Sequence, residues 1–179
     1  MKKTQQLTVL FLLFVSLISC KWGSKQETTK KSVSTVTLSE IEKNAFPKPI
    51  GIINDYSQVF TNAQKSELSK TLYDYDQATT RQIVVVTVDS IASYPNIQKY
   101  ATVLGQKWGV GTTEKNNGLI MVLCKPKRKI GIATGYGTEL VLTDVICKKV
   151  IDSTMIPEFK NGNFYKGIKK GIEDLITKW

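Results

Sequence analysis

The sequence predicts an α/β fold: an open mixed sheet with helices on its faces. Three observations carry this. Two runs, Gln82–Val88 (QIVVVTV) and Gly118–Cys124 (GLIMVLC), are apolar at almost every position, as strands covered on both faces must be. Before, between and after them lie stretches whose apolar residues recur at helical spacing. The second run is followed by a Lys125-Pro126-Lys127-Arg128 turn and then by Lys129–Ala133, the return strand of a hairpin. Strand–helix–strand units joined to a hairpin make a sheet with parallel and antiparallel pairs.

The elements follow in order. Thr61, with Gln64 three residues on, forms a capping-box pattern, and Leu68, Leu72 and Tyr75 share one face, so a helix is predicted over 62–78. After the first strand, Pro95 suits the first turn of a second helix. Ile97, Tyr100, Ala101, Leu104 and Trp108 form its apolar face, and Gly109 is placed to end it. Gly109 to Asn117 is a polar loop. After the hairpin, Thr143 can cap a third helix with Val150, Ile151 and Met155 inward, and Pro157 is expected to stop it. Asn163 can cap a final helix that buries Phe164, Ile168, Ile172, Leu175 and Ile176. Because the hairpin is antiparallel, its first strand starts beside the end of its second. Asn116 and Asn117 therefore belong at the same sheet edge as Gly135, Tyr136, Glu139 and Asp144.

A chain of 179 residues and 20.0 kDa suits one domain, or one domain plus an appendage, rather than two. It has no histidine, which removes the Ser-His-Asp triad, His-ligated zinc and His general bases together. Its three cysteines cannot all pair and none stands in a C-x-x-C arrangement, so a disulfide scaffold or a cysteine zinc site is not expected. Cys124 reads as a buried apolar residue and Cys147 as a partly buried helix residue, neither with an evident activating partner. Ser57 and Ser90 lack a histidine to activate them. The formal net charge is +10, but the basic clusters are short and no aromatics are interleaved with them, so no nucleic-acid partner is expected.

The first 45 residues read as an address, an anchor and a tether. Lys2 and Lys3 precede an apolar stretch from Leu7 to Ile18, which has the length of a signal-peptide core and is short for a bilayer span. Leu17-Ile18-Ser19-Cys20 resembles the bacterial lipobox, so residues 1–19 are expected to be a lipoprotein signal peptide and Cys20 to carry the lipid. Residues 20–45 then form a flexible tether rich in Ser, Thr, Lys and Glu, and 46–179 the domain, entered at Pro47 and Pro49. Such a tether reaches roughly 25–30 Å. The expectation is an exported, membrane-anchored lipoprotein of the cell envelope, facing the periplasm or the cell surface, with membrane lipid as a partner through Cys20.

Several motifs stand in order along the domain. They are Asn54-Asp55-Tyr56, Gln82–Val88, Trp108-Gly109-Val110-Gly111, Asn116-Asn117-Gly118, Gly135-Tyr136-Gly137-Thr138-Glu139, Leu142-Thr143-Asp144 and Ile156–Gly162. Together, over about residues 46 to 179, they resemble the TPM-domain family. That family takes in a thylakoid-lumen phosphatase-like protein, a photosystem II repair factor, a receptor modulator and many bacterial membrane-attached proteins. The resemblance implies a three-layer α/β/α sandwich, divalent-cation binding in some members and phosphatase activity in one branch. Carried over by motif, a Ca²⁺ or Mg²⁺ site would involve Asp55, Asn116, Asn117, Glu139 and Asp144. The family usually has Asp-Asn-Gly where this chain has Asn116-Asn117-Gly118, so one carboxylate becomes an amide, which weakens a hard-cation site without forbidding it.

Each candidate also has a structural reading. Asp144 follows a helix cap and suits the helix dipole. Glu139 can simply be solvated, Asn116 and Asn117 suit a turn, and Asp55 suits an Asx turn. Tyr136 either lines the same pocket or packs over the sheet edge. If residues 50–54 are a strand parallel to 83–88, Asp55 falls at the opposite edge from Glu139; if they are irregular entry chain, it can reach the site. Gly135-Tyr136-Gly137 lacks the third glycine of a dinucleotide fingerprint. Three functions compete: a cation-binding accessory factor for membrane-associated proteins, a metal-assisted phosphomonoesterase, and a structural surface domain with no site. The balance leans away from an enzyme, and the first is favoured.

Overall fold

The computed structural model describes residues 46–179, so the leader, Cys20 and the tether lie outside the described residues. No helix among the described residues is long and apolar enough to cross a membrane. The elements are β1 (Ile53–Asp55), α1 (Asn62–Thr79), β2 (Gln82–Val88), α2 (Ile97–Trp108), β3 (Gly118–Cys124) and β4 (Lys129–Thr134). They continue with a one-turn helix α3 (Tyr136–Glu139), α4 (Asp144–Val150), a π-helical turn (Ile151–Met155), α5 (Ile156–Lys160) and α6 (Phe164–Lys178).

The four strands lie in the order β1-β2-β3-β4. The first three are parallel, with Ile53 opposite Val85 and Gln82 opposite Gly118, and β4 returns antiparallel with Thr134 opposite Leu119. Alternation along the strands divides the core in two. Ile83, Val85, Leu119, Met121 and Leu123 face Leu68 and Leu72 of α1 and Ile168, Ile172 and Leu175 of α6. Val84, Val86, Ile120 and Val122 face Tyr100, Ala101 and Leu104 of α2. The mixed sheet is thus covered on both faces, as the sequence predicts, with α2 covering one face and α1 and α6 the other.

Local chemistry explains the element boundaries. The capping box forms as expected, with Gln64 N–H on Thr61 Oγ at 3.2 Å and Thr61 N–H on Gln64 Oε1 at 2.9 Å. The cap of α2 is Asn96, whose Oδ1 accepts from Lys99 N–H at 2.8 Å, so Pro95 lies just outside the helix. Asn163 makes no side-chain cap on α6.

Pro157 does not stop the third helix. The chain passes through the π turn, where Ile156 N–H reaches back five residues to Ile151 O. Pro157 follows directly in α5, and the widened π turn before it accommodates a residue that donates no N–H to the helical ladder. The π turn packs on α6, and Met155 is fully buried there. A Cβ at Gly171 would overlap Met155, coming within 2.8 Å of Cγ and 2.9 Å of Sδ. Gly171→Ala is therefore expected to cost about 1–3 kcal/mol through overpacking, read as a lower urea midpoint at unchanged slope.

Candidate functional site

The site is an open cleft at the sheet edge where β3 begins and β4 ends. Two loops meet there, backbone to backbone. Gly135 N–H donates to Gly118 O at 2.8 Å, and Gly137 and Thr138 N–H both converge on Asn116 O, at 3.1 and 3.4 Å. Thr138 is fully buried and adds a hydroxyl bond of 3.0 Å to Gly118 O. The cleft holds about 600 Å³; its walls include Gln98, Thr102 and Gln106 of α2, Thr112 and Thr113 of the preceding loop, and Asn116, Tyr136, Glu139 and Asp144. The topology expected from the hairpin is what brings these last four together.

Two of the expected ligands are elsewhere. Asp55 pairs with Thr87 near the end of β2, whereas the cleft adjoins Gly118, opposite Gln82 at its start. Five residues of strand separate the two levels, roughly 16 Å. The Asp55 carboxylate accepts from Val59 N–H at 2.9 Å, Phe60 N–H at 3.0 Å and the Thr87 hydroxyl at 2.6 Å. It builds the turn after β1 and cannot join Glu139. The parallel-strand alternative is the one the chain adopts, over Ile53–Asp55.

Asn117 is buried beside the cleft rather than in its lining. Its Oδ1 accepts from the Thr112 N–H at 3.0 Å and the Thr112 hydroxyl at 3.1 Å, and its Nδ2 donates to Thr80 O. The amide is engaged in fastening the 109–117 loop. Asn116, one residue earlier, adopts a left-handed φ of 48°. Its Nδ2 donates to Thr113 O at 3.4 Å, which leaves Oδ1 as the ligand-capable atom.

The cleft's electrostatics are one-sided. The charged residues among its lining are Glu139 and Asp144, both acidic, on a chain of net charge +10. Cys147 follows on α4 and is buried. Burial first, and the Asp144 charge second, push its thiol up to about 11, so it stays protonated at neutral pH and is no nucleophile. Two carboxylates and an amide oxygen are the donor chemistry of a hard cation. Among the described residues, however, no three His, Cys, Asp or Glu side chains stand close enough together to form a metal cluster.

A family model described as the TPM domain matches residues 53–178. The chain belongs to the TPM domain family. Among solved structures, this TPM domain is similar to the N-terminal domain of a protein from P. gingivalis, 31% identical over 70% of this chain and 80% of that one, with a TM-score of 0.65. The N-terminal domain of the cg2496 protein from Corynebacterium glutamicum is 16% identical over 74% and 82%, with a TM-score of 0.57. The BA42 protein from Bizionia argentinensis is 19% identical over 66% and 80%, with a TM-score of 0.58. The last two likenesses concern the fold alone. No curated protein matches the chain.

Sequence reasoning missed part of this TPM domain's cleft. Gln98, Thr102 and Gln106 recur at i, i+4 and i+8 on α2 and form a polar wall. The same helical periodicity that reveals the apolar face also reveals this stripe. Nothing in the local sequence marks the buried Thr138 hydroxyl, which ties one loop to Gly118 O, or the exposed Thr112, whose hydroxyl fastens Asn117 within the other loop.

Proposed function

We propose that this TPM domain is a binding module rather than a hydrolase. Its cleft takes a hard divalent cation, Ca²⁺ or Mg²⁺, and the module acts as an accessory factor for membrane-associated proteins, tethered at the cell envelope through lipid on Cys20. The observation that carries the binding reading is the pair of carboxylates, Glu139 and Asp144, as the charged groups of a cleft on a basic protein. The envelope assignment is supported by the Lys2–Cys20 leader pattern. Asn116 Oδ1 supplies a third oxygen. Ca²⁺ takes 6–8 oxygens, so waters complete the shell and the affinity falls near that of weak extracellular sites, about 10⁻⁴–10⁻³ M.

The test is an amide NMR titration of the full chain with Ca²⁺ and then Mg²⁺ at physiological ionic strength. Saturable shifts are expected within residues 110–118 and 134–146. Glu139→Gln or Asp144→Asn should weaken the affinity by about tenfold, since charge count sets it. Linear, diffuse shifts at millimolar cation would remove the metal from this proposal.

A further inference from the structure

We propose that the rim of this cleft docks a short peptide segment of a partner protein in which a lysine or arginine is flanked by apolar side chains. This rests on reading the cleft as the working site, but not on a bound metal.

The first observation is where apolar surface is left uncovered. Among the described residues, the exposed large hydrophobic side chains are Ile50, Tyr73, Tyr136, Leu140, Val141 and Val145. Four of these six fall within residues 136–145. Leu140 is 85% exposed, Tyr136 78% and Val145 77%. Scattered exposed apolar residues are ordinary, but a group in one short segment marks an interaction surface. The segment is also pinned from beneath: Thr138 and Leu142 are fully buried, and Leu142 N–H donates to Thr138 O at 2.8 Å. The apolar side chains are held outward on a fixed backbone, so little ordering cost remains to be met on binding.

Charge selects the occupant. Glu139 and Asp144 alternate with these apolar residues along the segment and face the cleft, and no basic side chain lines it. A negative spot on a chain of net charge +10 attracts a cation and disfavours an anionic lipid surface at this place. A second copy of the same chain meets general repulsion between two basic proteins. A peptide with a basic residue between apolar ones matches both features. Its methylene stem lies along Leu140 and Val145 while its charged end reaches the carboxylates. The exposed Tyr136 ring offers a face for a guanidinium. On the α2 wall Gln98 Nε2 already donates to Ile132 O at 2.7 Å and the Thr102 hydroxyl to Gln98 O at 3.0 Å, so the Gln106 amide and the side-chain oxygens of Gln98 and Thr102 are the groups that meet the peptide main chain.

The experiment is selection of a randomised nine-residue phage-displayed peptide library on the immobilised full chain, in chelator and then in millimolar Ca²⁺. The expected result is enrichment of peptides with a Lys or Arg flanked by apolar residues. The leading synthetic peptide should lose at least tenfold in affinity against Leu140→Ser and Val145→Ser. These changes are on exposed side chains and should leave the thermal midpoint unchanged. Glu139→Gln should weaken it similarly, and if Ca²⁺ titrates the cleft it should compete with the peptide. No enrichment, enrichment of acidic peptides, or affinity indifferent to Leu140→Ser would overturn the proposal. So would sedimentation of the chain with phosphatidylglycerol vesicles, or self-association, that Leu140→Ser abolishes while peptide binding is absent. Peptide binding in chelator with no cation titration would sustain this inference and remove the metal reading; cation binding without peptide enrichment would do the reverse.

Discussion

Gly137→Val is expected to destabilise the protein by about 3 kcal/mol and to unmake the cleft. A Cβ at this position would overlap the Lys115 carbonyl oxygen and come within 3.3 Å of Asn116 O. Both obstacles are backbone atoms, which cannot swing aside as a side chain can. The loops must part, and the bonds from Gly137 and Thr138 N–H to Asn116 O part with them. Urea unfolding should show a lower midpoint, and amide shifts at 110–118 and 134–146 should move without any ligand. Gly51→Ala is the control: nothing lies within 4 Å of a Cβ there, and no positive φ is required. It is expected to be neutral or to stabilise by about 0.4–1 kcal/mol through the unfolded state. A Gly137→Val protein as stable as the unmodified chain would mean that the two loops are not in backbone contact.

Asp55→Ala is expected to cost about 2–3 kcal/mol while leaving the cation titration unaltered. The substitution strips the acceptor from two backbone N–H groups and one hydroxyl, at Val59, Phe60 and Thr87. Leaving such donors unsatisfied costs more than a single hydrogen bond contributes. Asp55 is only partly buried, so water recovers some of that loss. Asp55→Asn keeps one oxygen and should restore about half of the stability. The paired measurement separates two roles that the resemblance runs together. A fall in cation affinity with no loss of stability would return Asp55 to the site and contradict the strand register.

The sandwich was legible because its signals are short-range and repeated. QIVVVTV and GLIMVLC can be read as buried strands without knowing what covers them, and the Thr61–Gln64 box acts within one helical turn. The common edge of Asn116, Tyr136, Glu139 and Asp144 followed from hairpin antiparallelism alone. Pro157 was misleading for a reason that lies outside its neighbours in sequence. Packing of Met155 into the space over Gly171 accompanies a widened turn, and that turn carries the helix past the proline.

The sequence by itself determined the fold class, the helix and strand order and the edge at which a site could form. These depend on apolar periodicity, capping chemistry and hairpin direction, all of which act between residues near one another along the chain. Only the tertiary structure decided which polar groups remain free. Asn116 and Asn117 are adjacent and chemically identical, yet the latter is engaged by Thr112 and Thr80 while the former keeps its oxygen for the cleft. Asp55 and Asp144 carry the same carboxylate, yet register places one beneath a turn and the other at the cleft. Whether a polar atom can bind a ligand depends on which partners the fold has already given it, and those partners come from distant parts of the chain.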